Sequence, residues 1–277
     1  KRKTRRAKGR SSAAGFVEGR RAPAATLERV AVLVAMQLYT ARVDSIRNLT
    51  HDVREIGLRL FDPPEIAFKA GQFVSFEVTN PRTNRLVNLP YSILSAPSRR
   101  NRIALLLNLV PGGPGSTYLF GLKEGDEAQF QGPAGNFYLR DDPTKDLLFV
   151  ATGTGIVPIW SMLRDRFERG FSRPVTLYWG LRSRQDLYYQ DELAALAQQH
   201  ANFSFITTLS RPEPGWTGPA GRVTKLVEER VTAVTNLSIY LCGNSGMISE
   251  VSGLINKRGL CPIYREKYYN DAGTPDD

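Results

Sequence analysis

Cysteine is scarce in this chain: Cys242 and Cys261 are the only two among 277 residues. Two thiols fall short of the four that an iron–sulfur cluster or an all-cysteine zinc site requires. Histidine is as sparse, with only His51 and His200, so no metal site is expected. Long apolar runs are missing too. The stretch VAVLVAM, residues 30–36, is far shorter than the roughly 20 residues of a spanning helix and lacks the small-residue context of a cleaved signal. No membrane span is expected, and the low cysteine count fits a reducing, cytoplasmic compartment.

Acidic residues are nearly absent from the first 35 positions. Glu18 and Glu28 stand against ten Lys or Arg there, which accounts for +8 of the formal charge of +10. The basicity belongs to this segment, and the remainder makes no strong electrostatic claim on nucleic acid or an anionic membrane. Residues 1–35 show no sustained periodicity and read as a basic, disordered leader. A transit-type peptide and a docking arm are the other readings. Met36 stands where ordered patterning begins, so it is the expected natural start.

Two textures follow. Over residues 36–143, the stretches MQLYTARVDSIRNL, DVREIGLRLF, AGQFVSFEV, NRIALLLNLV and EGDEAQFQGPAGNFYL read as short strands rich in β-branched and apolar residues. Asp62-Pro63-Pro64 and Asn80-Pro81 punctuate them. Five or six strands without a long helix predict a small antiparallel barrel. Over residues 144–277, strand-like DLLFVAT, VTLYWGL, NFSFITTLS and SIYLCG alternate with helix-like IWSMLRDRFER, DLYYQDELAALAQQH, TKLVEERV and GMISEVSGLINKRG. That alternation predicts a parallel α/β sheet. The boundary is set near Asp141-Asp142-Pro143.

Four short motifs carry chemistry. In VATGTGIVP, Gly153, Thr154 and Gly155 follow a strand and open a helix, where backbone amides can meet a pyrophosphate. The third position of the dinucleotide fingerprint is Pro158, which an early helical turn accepts. In PGGPGSTYLF, Gly112 and Gly113 free the backbone and Ser116 offers a hydroxyl, a second phosphate cradle. In LPYSILS, Tyr91 and Ser92 can set a ring and a hydroxyl against a planar ligand. In YLCGNSGM, Cys242 and Gly243 end a strand on the edge where open α/β sheets bind ligands. Each alone also reads as ordinary structure: a strand-to-helix turn, a Gly/Pro loop, a core tyrosine, an inert buried cysteine.

In this order, PYSILS, PGGPGS, GPAGNF, ATGTGIVP, YWGLRSRQDLYYQDEL, SRPEPGWTGPAG and YLCGNSGM resemble the ferredoxin–NADP reductase superfamily of flavin-dependent NAD(P)H oxidoreductases. The resemblance covers residues 37 to about 270. It implies a flavin-binding antiparallel β-barrel followed by a nucleotide-binding α/β domain, without an iron–sulfur domain of its own. By this resemblance Tyr91 packs beside the isoalloxazine and Ser92 sits near the flavin N5. Gly112, Gly113 and Ser116 hold flavin phosphates, and Gly153, Thr154 and Gly155 meet the nucleotide pyrophosphate. Cys242 and Gly243 border the nicotinamide, with Met247 in the same loop. Glu266 and Tyr268 match a C-terminal acidic–aromatic pair near the flavin. Ser92 and Cys242 are the implied catalytic positions.

One position departs from the family. The arginine that pairs with flavin phosphates two residues before the tyrosine is Leu89 here, and leucine offers no bidentate cation. Arg85 or Arg99 could stand in; FAD is expected, with FMN as the alternative. Arg182, Ser210 and Arg211 are the candidates for the adenosine ribose and a 2′-phosphate, while SRPEPGWTGPAG resembles the NADH-using version, so NADH is favoured over NADPH.

The implied activity moves hydride from NAD(P)H onto the flavin and passes electrons to a separate acceptor, ferredoxin or another iron–sulfur protein, for which Arg99, Arg100 and Arg102 are a candidate basic dock. The rival reading is a non-turning-over electron-transfer or regulatory subunit that has lost its flavin.

Overall fold

The computed structural model describes residues 36–268; the leader expected over residues 1–35 lies outside them. Six strands form the first sheet: β1 (Gln37–Asn48), β2 (Val53–Asp62), β3 (Phe73–Asn80), β4 (Arg85–Ser92), β5 (Arg102–Asn108) and β6 (Glu127–Ala134). Their order is β4-β3-β6-β1-β2-β5, and every pairing is antiparallel. An antiparallel bridge between Ile93 and Leu105 joins the two edges, and Leu94 N–H donates to the Ala104 carbonyl at 2.8 Å. The sheet therefore curls back on itself, as the run of short strands predicted.

The period-two alternation of β1 and β3 fills this barrel. Tyr39, Ala41 and Val43 point inward, as do Val74, Phe76 and Val78, against Leu58 and Phe130. The helix α1 (Pro114–Gly121) sends Leu119 into the same core. Strand β5 is buried on both faces. Ile103, Leu105 and Leu107 enter the barrel, while Ala104 and Leu106 face a second core outside it.

The second sheet is parallel. It contains β7 (Asp146–Thr152), β8 (Val175–Leu181), β9 (Phe203–Leu209), β10 (Leu237–Gly243) and β11 (Ile263–Lys267), in the order β11-β10-β7-β8-β9. Its helices are α2 (Ile156–Glu168), α3 (Gln190–Gln199), α4 (Val223–Arg230) and α5 (Ser245–Arg258). The unbroken apolar run of β7 follows from burial on both faces. Leu147, Phe149 and Ala151 pack toward α2 and α3, and Leu148 and Val150 toward α4 and α5.

Two details differ from the sequence reading. The helix expected over DLYYQDELAALAQQH begins only at Gln190. Tyr189 sits at φ 57°, in the left-handed region, so the helix cannot extend back through it. The strand β11 was not foreseen, because IYREK is short and heavily charged. It pairs on one side only, as an edge strand of the sheet.

The core between the sheets positions the site. Val53, Ala70, Leu94, Ala104, Leu106 and Phe137 from the barrel half share one buried cluster with Phe149, Trp160, Met162 and Tyr189. Apolar burial across this junction, worth about 25 cal/mol per Å², holds β4 and β5 beside the carboxyl ends of β7 and β10.

Candidate functional site

The strand order reverses at β7, with β8 on one side and β10 on the other. This switch point opens a crevice at the carboxyl ends of the strands, where open α/β sheets take ligands. Two turns line it. Gly153–Gly155 forms one turn of 3₁₀ helix between β7 and α2. Gly153 has φ 51°, and a side chain there would project into open space. Its carbonyl is held from below by Trp179 Nε1 at 3.0 Å and Tyr188 Oη at 3.3 Å. Thr154 Oγ1 reaches Asn108 Oδ1 at the end of β5, at 3.4 Å.

The second turn follows β10 and locks onto the first, backbone to backbone. A methyl group on Gly155 would strike the Cys242 carbonyl, and one on Gly243 would strike Thr152. Gly243 has φ 130°, a conformation only glycine adopts readily. Asn244 N–H donates to Thr152 Oγ1 at 2.9 Å, and the Asn244 side chain caps α5 by accepting from Met247 N–H at 3.0 Å. Met247 itself is buried in the core beside Ile248 and Val251, so its side chain does not line the crevice.

Arg182, Ser210 and Arg211 come together past the ends of β8 and β9. Ser210 N–H donates to the Leu181 carbonyl at 3.0 Å, and Arg211 N–H to the Arg182 carbonyl at 2.7 Å. Both arginines are exposed, and among the described residues neither is in an ion pair.

On the barrel side, the Gly112–Gly113 loop leads into α1. The Ser116 hydroxyl is turned inward, accepting from Val110 N–H at 3.1 Å and contacting the Val110 and Gly113 carbonyls at 3.2 Å. It is buried, not offered to the outside. The cation found against this loop is Arg82, whose guanidinium occupies the space a side chain at Gly112 would need. Leu89 and Tyr91 both pack under Gly115, where a methyl group would meet each of them. Tyr91 also stands edge-on to Phe76, centroids 5.9 Å apart.

The two halves meet at Ser92, Cys242, Glu266 and Tyr268. Cys242 and Glu266 are register partners on β10 and β11, and Tyr268 N–H donates to the Gly243 carbonyl at 3.1 Å. Tyr268 Oη donates to Ser92 Oγ at 2.8 Å, and the Ser92 hydroxyl lies beside the Glu266 carboxyl, where it favours the charged form. The Glu266 residue is only partly buried, but its Oε2 is closed off from solvent and has no hydrogen-bond partner. Burial pushes the Glu266 carboxyl up to about 7, against the opposing effect of Ser92. Burial, then the nearby Glu266 carboxylate, raises the Cys242 thiol well above its ordinary value. Burial, then Cys242 and Glu266, does the same to Tyr268. At neutral pH Cys242 and Tyr268 thus keep their protons while Glu266 exchanges one.

The sequence reading missed Arg82, Thr152, Trp179, Tyr188 and Asn108. Each matters through a neighbour distant in the chain: Arg82 and Asn108 lie outside the motifs, while Thr152, Trp179 and Tyr188 lie within VATGTGIVP and YWGLRSRQDLYYQDEL at positions those motifs give no role. Away from the crevice, His51, Asp52 and Asp186 approach one another at the surface. Asp186 there accepts from Ser183 N–H and Oγ, both at 2.8 Å, and so serves a helical turn.

Comparison with known proteins agrees with this layout. Residues 40–138 match the family model of the oxidoreductase FAD-binding domain, and residues 149–253 that of the oxidoreductase NAD-binding domain. The chain is 33% identical over 230 residues to the ferredoxin–NAD(P)(+) reductase component of the naphthalene 1,2-dioxygenase/salicylate 5-hydroxylase systems of Ralstonia sp, covering 82% of this chain and 68% of that protein. It is 34% identical over 228 residues to ferredoxin–NADP reductase B of Sorangium cellulosum, covering 80% and 93%. Among solved structures, the cytochrome P450 reductase of Amycolatopsis superposes with a TM-score of 0.75 at 29% identity, over 84% of this chain and 70% of that one. The barrel, the switch-point crevice and these relatives together establish that the chain belongs to the ferredoxin–NAD(P)(+) reductase family of FAD- and NAD(P)-binding oxidoreductases.

Proposed function

We propose that this protein oxidises NADH or NADPH on an FAD held by the barrel and delivers electrons to a separate iron–sulfur acceptor, such as a ferredoxin or an oxygenase component. The observation that carries this reading is the Ser92–Tyr268–Glu266–Cys242 cluster, which lies where the barrel abuts the switch point of the parallel sheet. The residues fit a flavin. Glu266 Oε2 is an orphaned, closed-off acceptor, and the Gly112 loop is backed by a guanidinium. When bound, the flavin supplies the conversion of a two-electron hydride into single electrons.

The chain's own groups do the positioning. Tyr91 and Ser92 present a ring and a hydroxyl at the end of β4, while Gly112, Gly113 and Arg82 receive phosphate. Ser116 supports that loop from within by its bonds to Val110 and Gly113. In this reading Arg82, and not Arg85 or Arg99, supplies the cation that Leu89 lacks. Gly153, Thr154 and Gly155 meet the nucleotide pyrophosphate at the start of α2, where the helix amides and dipole favour an anion. Cys242 and Gly243 border the nicotinamide. Glu266 holds a proton near neutrality and exchanges it through Ser92 Oγ. Arg182 and Arg211, exposed and without carboxylate partners among the described residues, support acceptance of a 2′-phosphate and hence of NADPH beside NADH.

Among the described residues no helix is long and apolar enough to cross a membrane, and both cysteines are free thiols. These features support placement in the cytoplasm. The deciding experiment is an anaerobic absorption spectrum before and after each reduced nucleotide. Flavin bands that bleach, with electrons then recovered on an added iron–sulfur protein, are the expected result. A colourless protein that takes up neither FAD nor FMN would instead assign the chain to a subunit without turnover.

A further inference from the structure

A second cleft lies between the two halves, on the outer face of β5. Its volume is about 170 Å³, close to the ~150 Å³ of an engineered cavity that holds one benzene ring. The barrel half contributes Arg47, Glu55, Arg99 and Arg102; the parallel-sheet half contributes Trp160, Arg164, Tyr189 and Glu192. Leu94 and Ala104 form its apolar floor. None of these residues belongs to the proposed flavin or nucleotide sites.

Most of the charge in the wall is already matched. Arg47 reaches Glu192 at 2.7 Å and Glu55 at 3.7 Å, Tyr189 Oη donates to Glu55 at 2.6 Å, and Arg102 pairs with Asp44 at 2.9 Å. Asp165 and Glu168, the nearest acids along α2, are engaged by Arg169 and Ser98. Arg99 and Arg164 remain, one from each half, with no carboxylate in contact among the described residues. Arg164 is half-buried, where an uncompensated cation is costly to hold. Beside it the Trp160 and Tyr189 rings stack with centroids 5.1 Å apart. Tyr189 is held there at a backbone angle unfavourable for a bulky residue.

We propose that this cleft binds a small organic carboxylate of about single-ring size. Its carboxylate is taken by Arg99 and Arg164, and its apolar body lies against Trp160, Tyr189 and the β5 floor. Guanidinium–carboxylate contacts are charge-assisted and geometrically matched, and the cleft is far too small for a nucleotide. Because one guanidinium comes from each half, an occupant ties the barrel to the parallel sheet. The site does not depend on flavin or NAD(P)H.

The test titrates the full chain, with saturating NAD⁺ present, with benzoate, benzamide and inorganic phosphate, following tryptophan fluorescence and heat of binding. Benzoate is expected to saturate, with benzamide and phosphate each at least about tenfold weaker, because one lacks the charge and the other the apolar body. Arg164→Gln and Arg99→Gln should each weaken benzoate about tenfold or more, and the Arg164 variant should reduce its flavin at the unaltered rate. Three results would overturn the proposal: no saturable benzoate response up to tens of millimolar, phosphate binding as tightly as benzoate, or unchanged affinity in both arginine variants. Loss of flavin reduction in the unmodified protein would bear on the proposed function alone.

Discussion

The two glycine turns proposed to face phosphate are built from different materials. After β7, Gly155 presses on the backbone of Cys242, and Gly243 on the hydroxyl and backbone of Thr152, so one turn is fixed against another largely by main-chain atoms. At the start of α1, Gly112 in the preceding loop and Gly115 in the first turn meet the side chains of Arg82, Leu89 and Tyr91. Main-chain contacts have no rotamers with which to yield, whereas a guanidinium or a leucine can move. The nucleotide side is therefore built as a rigid edge, and the flavin side as an adjustable one. That difference also explains how the barrel can present leucine at position 89: a loop read by side chains can take its cation from another strand connection.

Gly155→Ala is expected to have the largest effect on the rigid turn. Its methyl group meets backbone on β10, so a loss of about 3 kcal/mol in folding stability is expected, read as a lowered urea midpoint. Gly115→Ala, which meets only side chains, should cost about 1 kcal/mol while altering flavin affinity. Equal losses in the two variants would remove the distinction.

Next in size is the pH dependence set at the junction by Glu266. Its folded-state value is raised to about 7 from an ordinary 4.5, so the folded protein binds the extra proton between those values. The associated stability is present at low pH and is lost as pH rises through about 7. Glu266→Gln should abolish that slope and leave the variant about 2 kcal/mol better off, relative to wild type, at pH 8 than at pH 4. Chemical denaturation at both values measures it, and parallel curves for the two proteins would contradict the assignment.

Arg82→Ala should weaken FAD about tenfold, with a shallower salt dependence, and leave the unfolding midpoint of the apoprotein unchanged. Equilibrium titration of apoprotein by flavin fluorescence gives both quantities. Arg85→Ala is the control expected to have no effect. The smallest effect belongs to the exposed pair on the rigid side. Arg182→Ala with Arg211→Ala should lower kcat/KM for NADPH about fivefold to tenfold while holding NADH within about twofold. An equal loss with both nucleotides would place the arginines away from the 2′-phosphate.

Much of this architecture could be read directly from the chain. The change from period-two strands to strand–helix alternation announced the barrel and the parallel sheet, because each layer must bury a face at its own repeat. The GTG and PGG turns were legible because glycine marks backbone that side chains would block. Met247 and Ser116 were less legible: the motif gave their position in a loop but not their direction, and both turn inward. Glu266 and Tyr268 were visible only through a family likeness, since nothing local in IYREKYY points to Ser92, 174 and 176 positions away in the chain.

From the chain alone come which segments form strands or helices, which turns stay open and where a cation is missing from the flavin motif. These are local properties, set by side-chain periodicity and backbone freedom. Only the fold shows which arginine stands against the Gly112 loop, which acid is closed off from water near its neutral point, and which guanidiniums between the halves meet no carboxylate among the described residues. Those outcomes depend on burial and on partners brought together across the β5 junction, and no local pattern in the chain encodes either.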